Sequence, residues 1–466
     1  MAGIASPKAQ GPVLHDWRPE DANFWQSGGS SIASRNLWIS IPALLLAFAV
    51  WMMFSAVAIK LKDVGFHFTD DQLFWLTALP GLSGATLRIF YSYMVSMVGG
   101  RRWTAISTAS LMIPAIWLGF AVQDTATPYW HFVAIAILCG FGGGNFASSM
   151  SNISFFYPKS KQGYALGMNA GLGNLGVSAT QFLIPMVISM GIFGAIAGNP
   201  QMTGDGKEMY LQNAGFLWVP FLFVCTLAAW FGMNDLTTSR STFSEQSVIF
   251  SRSQNWLMCW LYMGTFGSFI GFSAGFPMLI KTQFPEINAL TYAFLGPLVG
   301  ALARPVGGWL SDKTGGAMLT FWVFVLIVAG VFGVLHFLPV DGKGGNFTGF
   351  LISFMALFIL SGIGNASTFR MIPIIFRTFH DRKSVQSTPE EKTASLRNAG
   401  IESAATIGFS SAIGAYGGFF IPKSYGSSIA LTGGPQAALY AFIIFYFTCI
   451  AITWWWYYRK RAPYPC

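Results

Sequence analysis

The sequence has 466 residues, 53% of them hydrophobic and only 10% charged, where a soluble domain carries roughly 25% charged residues, so a water-solvated globule is excluded. Glycine (52), phenylalanine (44) and tryptophan (17) are abundant, as expected of helices packed in a lipid bilayer with aromatic rings at its interfaces. The net charge of +9 does not point to nucleic acid, because the basic residues lie in short loops between apolar runs and not on one stripe.

The five cysteines and five histidines show no metal-ligand spacing, disulfide framework or cofactor motif. Residues 1–36 form a mixed polar tail. Arg18, Glu20 and Asp21 precede the first apolar run, which is not the pattern of a secretory signal. Trp17, Phe24 and Trp25 fit an ordinary ordered tail, with a membrane-surface position as the alternative.

Runs long enough to span the hydrocarbon, about 20 apolar residues as helix, number twelve. They lie near 37–60, 70–98, 102–122, 128–156, 163–193, 214–234, 254–280, 289–311, 316–338, 347–377, 398–422 and 436–458. The expected organisation is a tail (1–36), six helices (37–234), a polar central loop (235–253), six more helices (254–458) and a short tail (459–466). Most of the 27 Lys and Arg fall in the tails and the even-numbered connections. Six lie opposite, at Lys60, Lys62, Lys207, Lys281, Lys343 and Lys423, and three fall inside spans, at Arg88, Arg304 and Arg370. That bias places both termini in the cytoplasm.

The two halves repeat. Ala78–Arg88 (ALPGLSGATLR) aligns with Phe294–Arg304 (FLGPLVGALAR), so that Arg88 meets Arg304, Gly84 meets Gly300, and Gly99-Gly100 meet Gly315-Gly316. A weaker echo sets Gly142, Gly144 and Asn145 against Gly362, Gly364 and Asn365. Repeated halves of this kind place a substrate site at the midplane between them, reached alternately from each side.

A charged side chain in mid-span costs about 2.5–3.5 kcal/mol on insertion scales and is a functional candidate by default. Arg88 and Arg304 have no mid-span Asp or Glu to neutralise them; Asp312 is at a span end and Glu402 near the start of a span. Two such forks suit a flat oxyanion that accepts bidentate hydrogen bonds. The alternative is that each arginine snorkels or bonds to a neighbouring helix's carbonyls. Arg370 sits near the cytoplasmic end of its span, where a gate or structural role competes with substrate contact. Gly163, Gly167 and Gly171, and Gly140 with Gly144, are spaced as small-residue faces for close helix packing. The concentration of glycine in these spans, Gly171 and Gly408 included, also suits helices that bend or slide.

Gly307–Gly316 (GGWLSDKTGG) resembles the signature loop of the major facilitator superfamily, and the first-half copy has Ser96 where the second has Asp312. Gly140–Gly167 and Gly364–Phe376 (GNASTFRMIPIIF) resemble the two nitrate signatures of the NarK nitrate/nitrite porters, and the likeness runs from Asp16–Glu20 (DWRPE) to Gly417–Lys423 (GGFFIPK). The resemblance implies an all-α membrane protein of twelve transmembrane helices in two pseudo-symmetric six-helix halves. It implies nitrate and nitrite as substrates, an inner-membrane location, a monomer, no cofactor and no enzymatic activity. It also implies that Arg88 and Arg304 clamp the anion, Asn174 and Tyr262 donate hydrogen bonds, and Phe146 and Phe266 cover its faces. Taken singly, each of these four is also an ordinary core, interface or interhelical residue.

The spans carry no central carboxylate, and His67, His131, His336 and His380 lie at span ends or in loops, so no dedicated proton site is legible. Two positive groups resist approach when empty and tolerate it when an anion is bound. Obligate exchange of nitrate for nitrite is the expectation; proton-coupled nitrate symport and, from another class, an anion channel are the alternatives. The loop Arg377–Arg397 reads as solvated.

Overall fold

The computed structural model describes residues 11–237, 247–340, 344–383 and 389–466. The first ten residues of the tail, most of the central loop after Thr237, Lys343, and residues 384–388 of the 377–397 loop lie outside the described residues.

The described chain is helical almost throughout. Eleven helices among the described residues are long and apolar enough to cross a membrane. They are α1 (Ala22–Val64), α2 (Asp70–Val98), α3 (Gly100–Ala121), α4 (Tyr129–Phe156), α6 (Asn213–Gly232), α7 (Ser253–Gln283), α8 (Ala289–Thr314), α9 (Gly316–Phe337), α10 (Phe347–Arg382), α11 (Ala394–Thr432) and α12 (Gln436–Tyr458). The remaining expected span is the helix α5 (Lys159–Val187), whose composition of Gly, Asn, Gln and Ser leaves it less hydropathic than its neighbours. It ends before the anticipated 193. The connection that follows carries a small antiparallel hairpin, Gln201–Met202 with Glu208–Met209.

The first helix begins at Ala22, well upstream of residue 37. Its entry is folded and not a loose tail. Val13–Leu14 pairs in parallel with Asp235–Leu236, Trp17 and Phe24 are buried against Phe156, and Trp17 Nε1 donates to Phe155 O at 3.1 Å. Glu20 accepts from the backbone N of Lys159 at 3.0 Å, supplying an acceptor at the start of α5 where helix N–H groups lack one. These contacts give Asp16–Glu20 a structural role in one ordered tail.

The helices gather into two compact units, Met1–His67 with Ser83–Ser241, and Phe68–Leu82 with Thr242–Cys466. The opening turns of α2 therefore group with the second unit, where Asp71 pairs with Lys423 at 2.7 Å and Trp75 packs on Phe419. Burial separates central from peripheral helices. The apolar windows of α1 and α7 are 89% and 94% buried, those of α6 and α12 only 28% and 33%. The exposed side chains of α6 and α12 are largely apolar, Phe223, Phe231, Ile444 and Phe447 among them, as contact with lipid favours.

Inside each unit the repeat has a physical basis. Gly99 (φ 99°, ψ 147°) and Gly315 (φ 89°, ψ 141°) share a backbone conformation that only glycine adopts readily, and each begins the third helix of its half. A Cβ on Gly84 would stand 3.1 Å from Gly143 Cα, and one on Gly362 would stand 2.1 Å from Gly300 O, so α2–α4 and α8–α10 meet through glycine at matched places. The weaker echo is not reproduced contact for contact, because Gly142 instead meets Ala47 O of α1.

In the first half a carboxylate distant in sequence meets the start of α3. Asp235 accepts from Arg101 N at 2.8 Å and pairs with the Arg101 and Arg102 guanidiniums, sitting at the N-terminus of α3 where negative charge is favoured. In the second half Ala317 N donates to Cys466 O at 2.9 Å.

Candidate functional site

Arg88 occupies the middle of α2 and is 1% exposed. Its Nε donates to Gly143 O on α4 at 2.8 Å, so one donor does reach a neighbouring helix's carbonyl, as the alternative reading of a mid-span arginine required. Its guanidinium carbon lies 4.7 Å from the Phe146 ring centroid and 5.1 Å from that of Trp51 on α1. Delocalised guanidinium is weakly hydrated and is attracted to aromatic faces. Phe146 thus lies against Arg88, and so does Trp51, which the sequence did not single out. Asn174 on α5 is 1% exposed. Its Oδ1 has no hydrogen-bond partner among the described residues.

In the second unit Arg304 lies in α8, beside Phe369 of α10, with its guanidinium carbon 5.7 Å from the ring centroid. Its Nη1 is buried and has no hydrogen-bond partner among the described residues. Phe369 stacks almost parallel on Tyr262 (4.3 Å, 8°), and Tyr262 stacks on Phe266 (5.3 Å, 14°). Tyr262 and Phe266 are thus neighbours in one aromatic stack, because residues four apart on α7 share a face. The Tyr262 hydroxyl donates to Asn365 Oδ1 at 2.5 Å, so its one proton is committed to α10. Asn365 and Phe369 are themselves one turn apart. Neither was singled out as a ligand from the sequence, and only the Asn145–Asn365 echo drew attention to that turn.

The other candidates stand elsewhere. Arg370 Nε donates to Asp312 at 2.6 Å, both side chains being substantially exposed. Gly140 packs on Ser83 and Gly144 on Tyr91, as small-residue faces should, but Gly163, Gly167 and Gly171 have no atom within 4 Å of where a Cβ would be, and neither has Gly408. The expected packing face on α5 is therefore not a contact. Spacing alone identifies a stripe of glycine, not what it faces. Gly173 and Gly176, on another side of α5, carry the contact with Leu44 and Leu45 instead.

A further polar cluster escaped sequence analysis. Glu402 on α11 is 5% exposed, accepts from Arg252 at 2.9 and 2.8 Å, and lies 3.1 Å from His380 Nε2. Glu402's hydrogen bonds hold Arg252 above its ordinary pKa. The three residues come from the start of α7, the end of α10 and the start of α11, so no local pattern betrays them.

Residues 39–387 match the Major Facilitator Superfamily. Nitrate/nitrite transporter NarU of Salmonella typhimurium is 54% identical over 454 residues, covering 96% of this chain and 97% of the relative. This chain belongs to the major facilitator superfamily, in its NarK-type branch of nitrate/nitrite porters. The probable nitrate/nitrite antiporter NarK2 of Thermus thermophilus is 39% identical, with 98% of this chain and 99% of that one covered. The crystal structure of a D-xylose–proton symporter superposes with a TM-score of 0.63 at 12% identity, covering 93% of this chain and 98% of that chain, a likeness of fold. The NarK-type chain is thus a multi-pass membrane transporter and not an enzyme, with the superfamily's twelve-helix fold.

Proposed function

We propose that this NarK-type porter exchanges nitrate for nitrite across the bacterial inner membrane by alternating access, as a monomer with both termini in the cytoplasm. Arg88 of the first six-helix half and Arg304 of the second clamp the anion in this reading. Asn174 supplies a hydrogen bond, as does Tyr262 once its hydroxyl turns from Asn365 to the anion, and Phe146 and Phe266 supply apolar walls. The observation that carries it is Arg304: a buried guanidinium nitrogen with no hydrogen-bond partner among the described residues is costly unless an anion visits it. Relatives described as nitrate/nitrite transporters and antiporters name the anion class, and a planar fork fits a planar oxyanion better than a point charge does. Arg370, Gly171 and Gly408 are assigned to gating or structure and not to the anion.

Proton-coupled nitrate symport is the second reading. The Glu402–His380 contact is the titratable pair it would use. Against that use, Arg252 already holds Glu402 in a two-pronged ion pair.

Nitrate uptake into proteoliposomes, with and without internal nitrite, tests the exchange. Uptake should need the internal anion and should be lost in Arg88→Lys and in Arg304→Lys. Uptake that follows an imposed proton gradient with no internal anion refutes exchange in favour of symport, and full activity of both lysine variants removes the arginines from the site.

A further inference from the structure

In both units the chain around the end of the sixth helix reaches back to the first and third helices. In the first unit Asn234 N donates to Asn36 Oδ1 of α1 at 2.8 Å, and Asp235 accepts from the backbone of Arg101, the second residue of α3. In the second unit different groups meet the matching places. The Tyr457 hydroxyl donates to Gln254 Oε1 of α7 at 2.6 Å, and Cys466 O accepts from the backbone of Ala317, the second residue of α9, at 2.9 Å. Arg101 and Ala317 are equivalent in the repeat, since each directly follows its Gly-Gly pair. The N–H groups of a first helical turn have no acceptor inside the helix, so each half supplies one from the chain beyond its sixth helix.

Residues 459–466 are folded to make that contact. Ala462 N donates to Arg459 O at 2.9 Å, and Tyr464 N to Trp456 O at 3.0 Å. Ala462 is buried, and the Tyr464 ring lies 5.3 Å from the Arg382 guanidinium carbon at the end of α10. Cys466 feels a second cation: burial pushes its thiol up to about 12, while the Arg370 charge draws it down. Arg370 is the partner of Asp312, at the end of α8, in a pair whose side chains are 46% and 63% exposed. An ion pair as exposed as this is weak and cannot by itself hold the α8–α9 connection.

We propose that residues 461–466 form a strap that holds the start of α9 against the end of α10 and so positions the Asp312–Arg370 pair. Gly315 makes this the place to act. Its positive φ of 89° turns the chain sharply between α8 and α9, and Cys466 O stands 3.5 Å from where a Cβ on that glycine would be. With the strap docked, the carboxylate before the bend and the N–H after it keep fixed places. Released, the bend flexes, Asp312 and Arg370 spend part of each cycle apart, and the conformational step they guard slows while the anion site is untouched. The strap deepens the gating assignment of Arg370, and its effect on transport rests on the alternating-access reading.

Amide hydrogen exchange and nitrate/nitrite exchange kinetics on the full-length protein test it, with a deletion of residues 464–466, Ala317→Pro, Asp312→Asn and the exposed control Lys460→Ala. The deletion should speed amide exchange across residues 317–320 by about five-fold, the worth of one net backbone hydrogen bond. Turnover should fall by a similar factor with the nitrate KM unmoved, and Lys460→Ala should match the wild type in both. In an Asp312→Asn background the deletion should cost no further turnover, because the pair it positions is already gone. Wild-type amide exchange in the deletion overturns the strap. Faster amide exchange with wild-type turnover overturns its role in positioning the pair, as does a loss that adds fully to that of Asp312→Asn. If the deletion does not fold, Ala317→Pro decides by the same two readouts, since it removes the donor and no bond inside the helix. If the wild type conducts nitrate as a channel does, the alternating-access reading falls by itself, and amide exchange still upholds or overturns the strap.

Discussion

Glu402→Gln preserves the shape of the buried carboxylate and removes its charge. In the wild type this side chain is 6% exposed and accepts from Arg252 at 2.8 Å, with His380 at 3.1 Å. Removing one partner of a buried ion pair costs about 3–5 kcal/mol, most of it from the charge left behind. Arg252 is 22% exposed at its side chain and retains some water, so the expected loss is nearer 2 kcal/mol. Because the cluster joins the ends of α7, α10 and α11, the loss should appear as lower thermal stability of the whole second unit. Melting of the purified protein, followed by tryptophan fluorescence, reads it. Glu286→Gln, at an exposed position, is the control and should melt like the wild type. Arg252→Gln combined with Glu402→Gln should cost less than the two single changes added together, since neither charge is then stranded. If Glu402→Gln melts with the Glu286→Gln control, the cluster does not stabilise the fold and the argument is wrong.

Gly142→Ala and Gly417→Ala place a methyl group 2.0 Å from Ala47 O and 2.3 Å from Gly267 backbone atoms, and should destabilise by about 1–3 kcal/mol each in a melting assay. Gly167→Ala and Gly171→Ala meet nothing within 4 Å and should melt like the wild type or slightly higher; a comparable loss there would mean that α5 packs through that stripe. Tyr262→Phe keeps the aromatic stack but leaves Asn365 Oδ1 without its donor. A loss of about 1–3 kcal/mol is expected, and wild-type melting would show that the hydroxyl bond contributes nothing.

Much of this protein is legible along the chain because bilayer physics is local in sequence. Hydropathy marks the spans, and the rarity of mid-span charge picks out Arg88 and Arg304. The Gly-Gly pairs at 99–100 and 315–316 announce a repeat whose backbone angles then agree. Even so, hydropathy understates α5, because a helix rich in polar and small residues looks like a loop to a scale that scores only transfer to lipid.

What the linear pattern cannot carry is which side chains meet. Asp235 finds Arg101 across 134 positions, Glu402 finds Arg252 across 150, and Tyr262 finds Asn365 across 103. Composition and periodicity thus determined the medium, the spans and the candidate charges, each a property of a residue and its near neighbours. Only the tertiary structure decided that Gly163, Gly167 and Gly171 of α5 meet no described neighbour while Gly173 and Gly176 pack on α1, that the opening of α2 packs on α11, and that Trp51 sits against Arg88. Those outcomes depend on the rotation and approach of separate helices, and packing contacts between them set both.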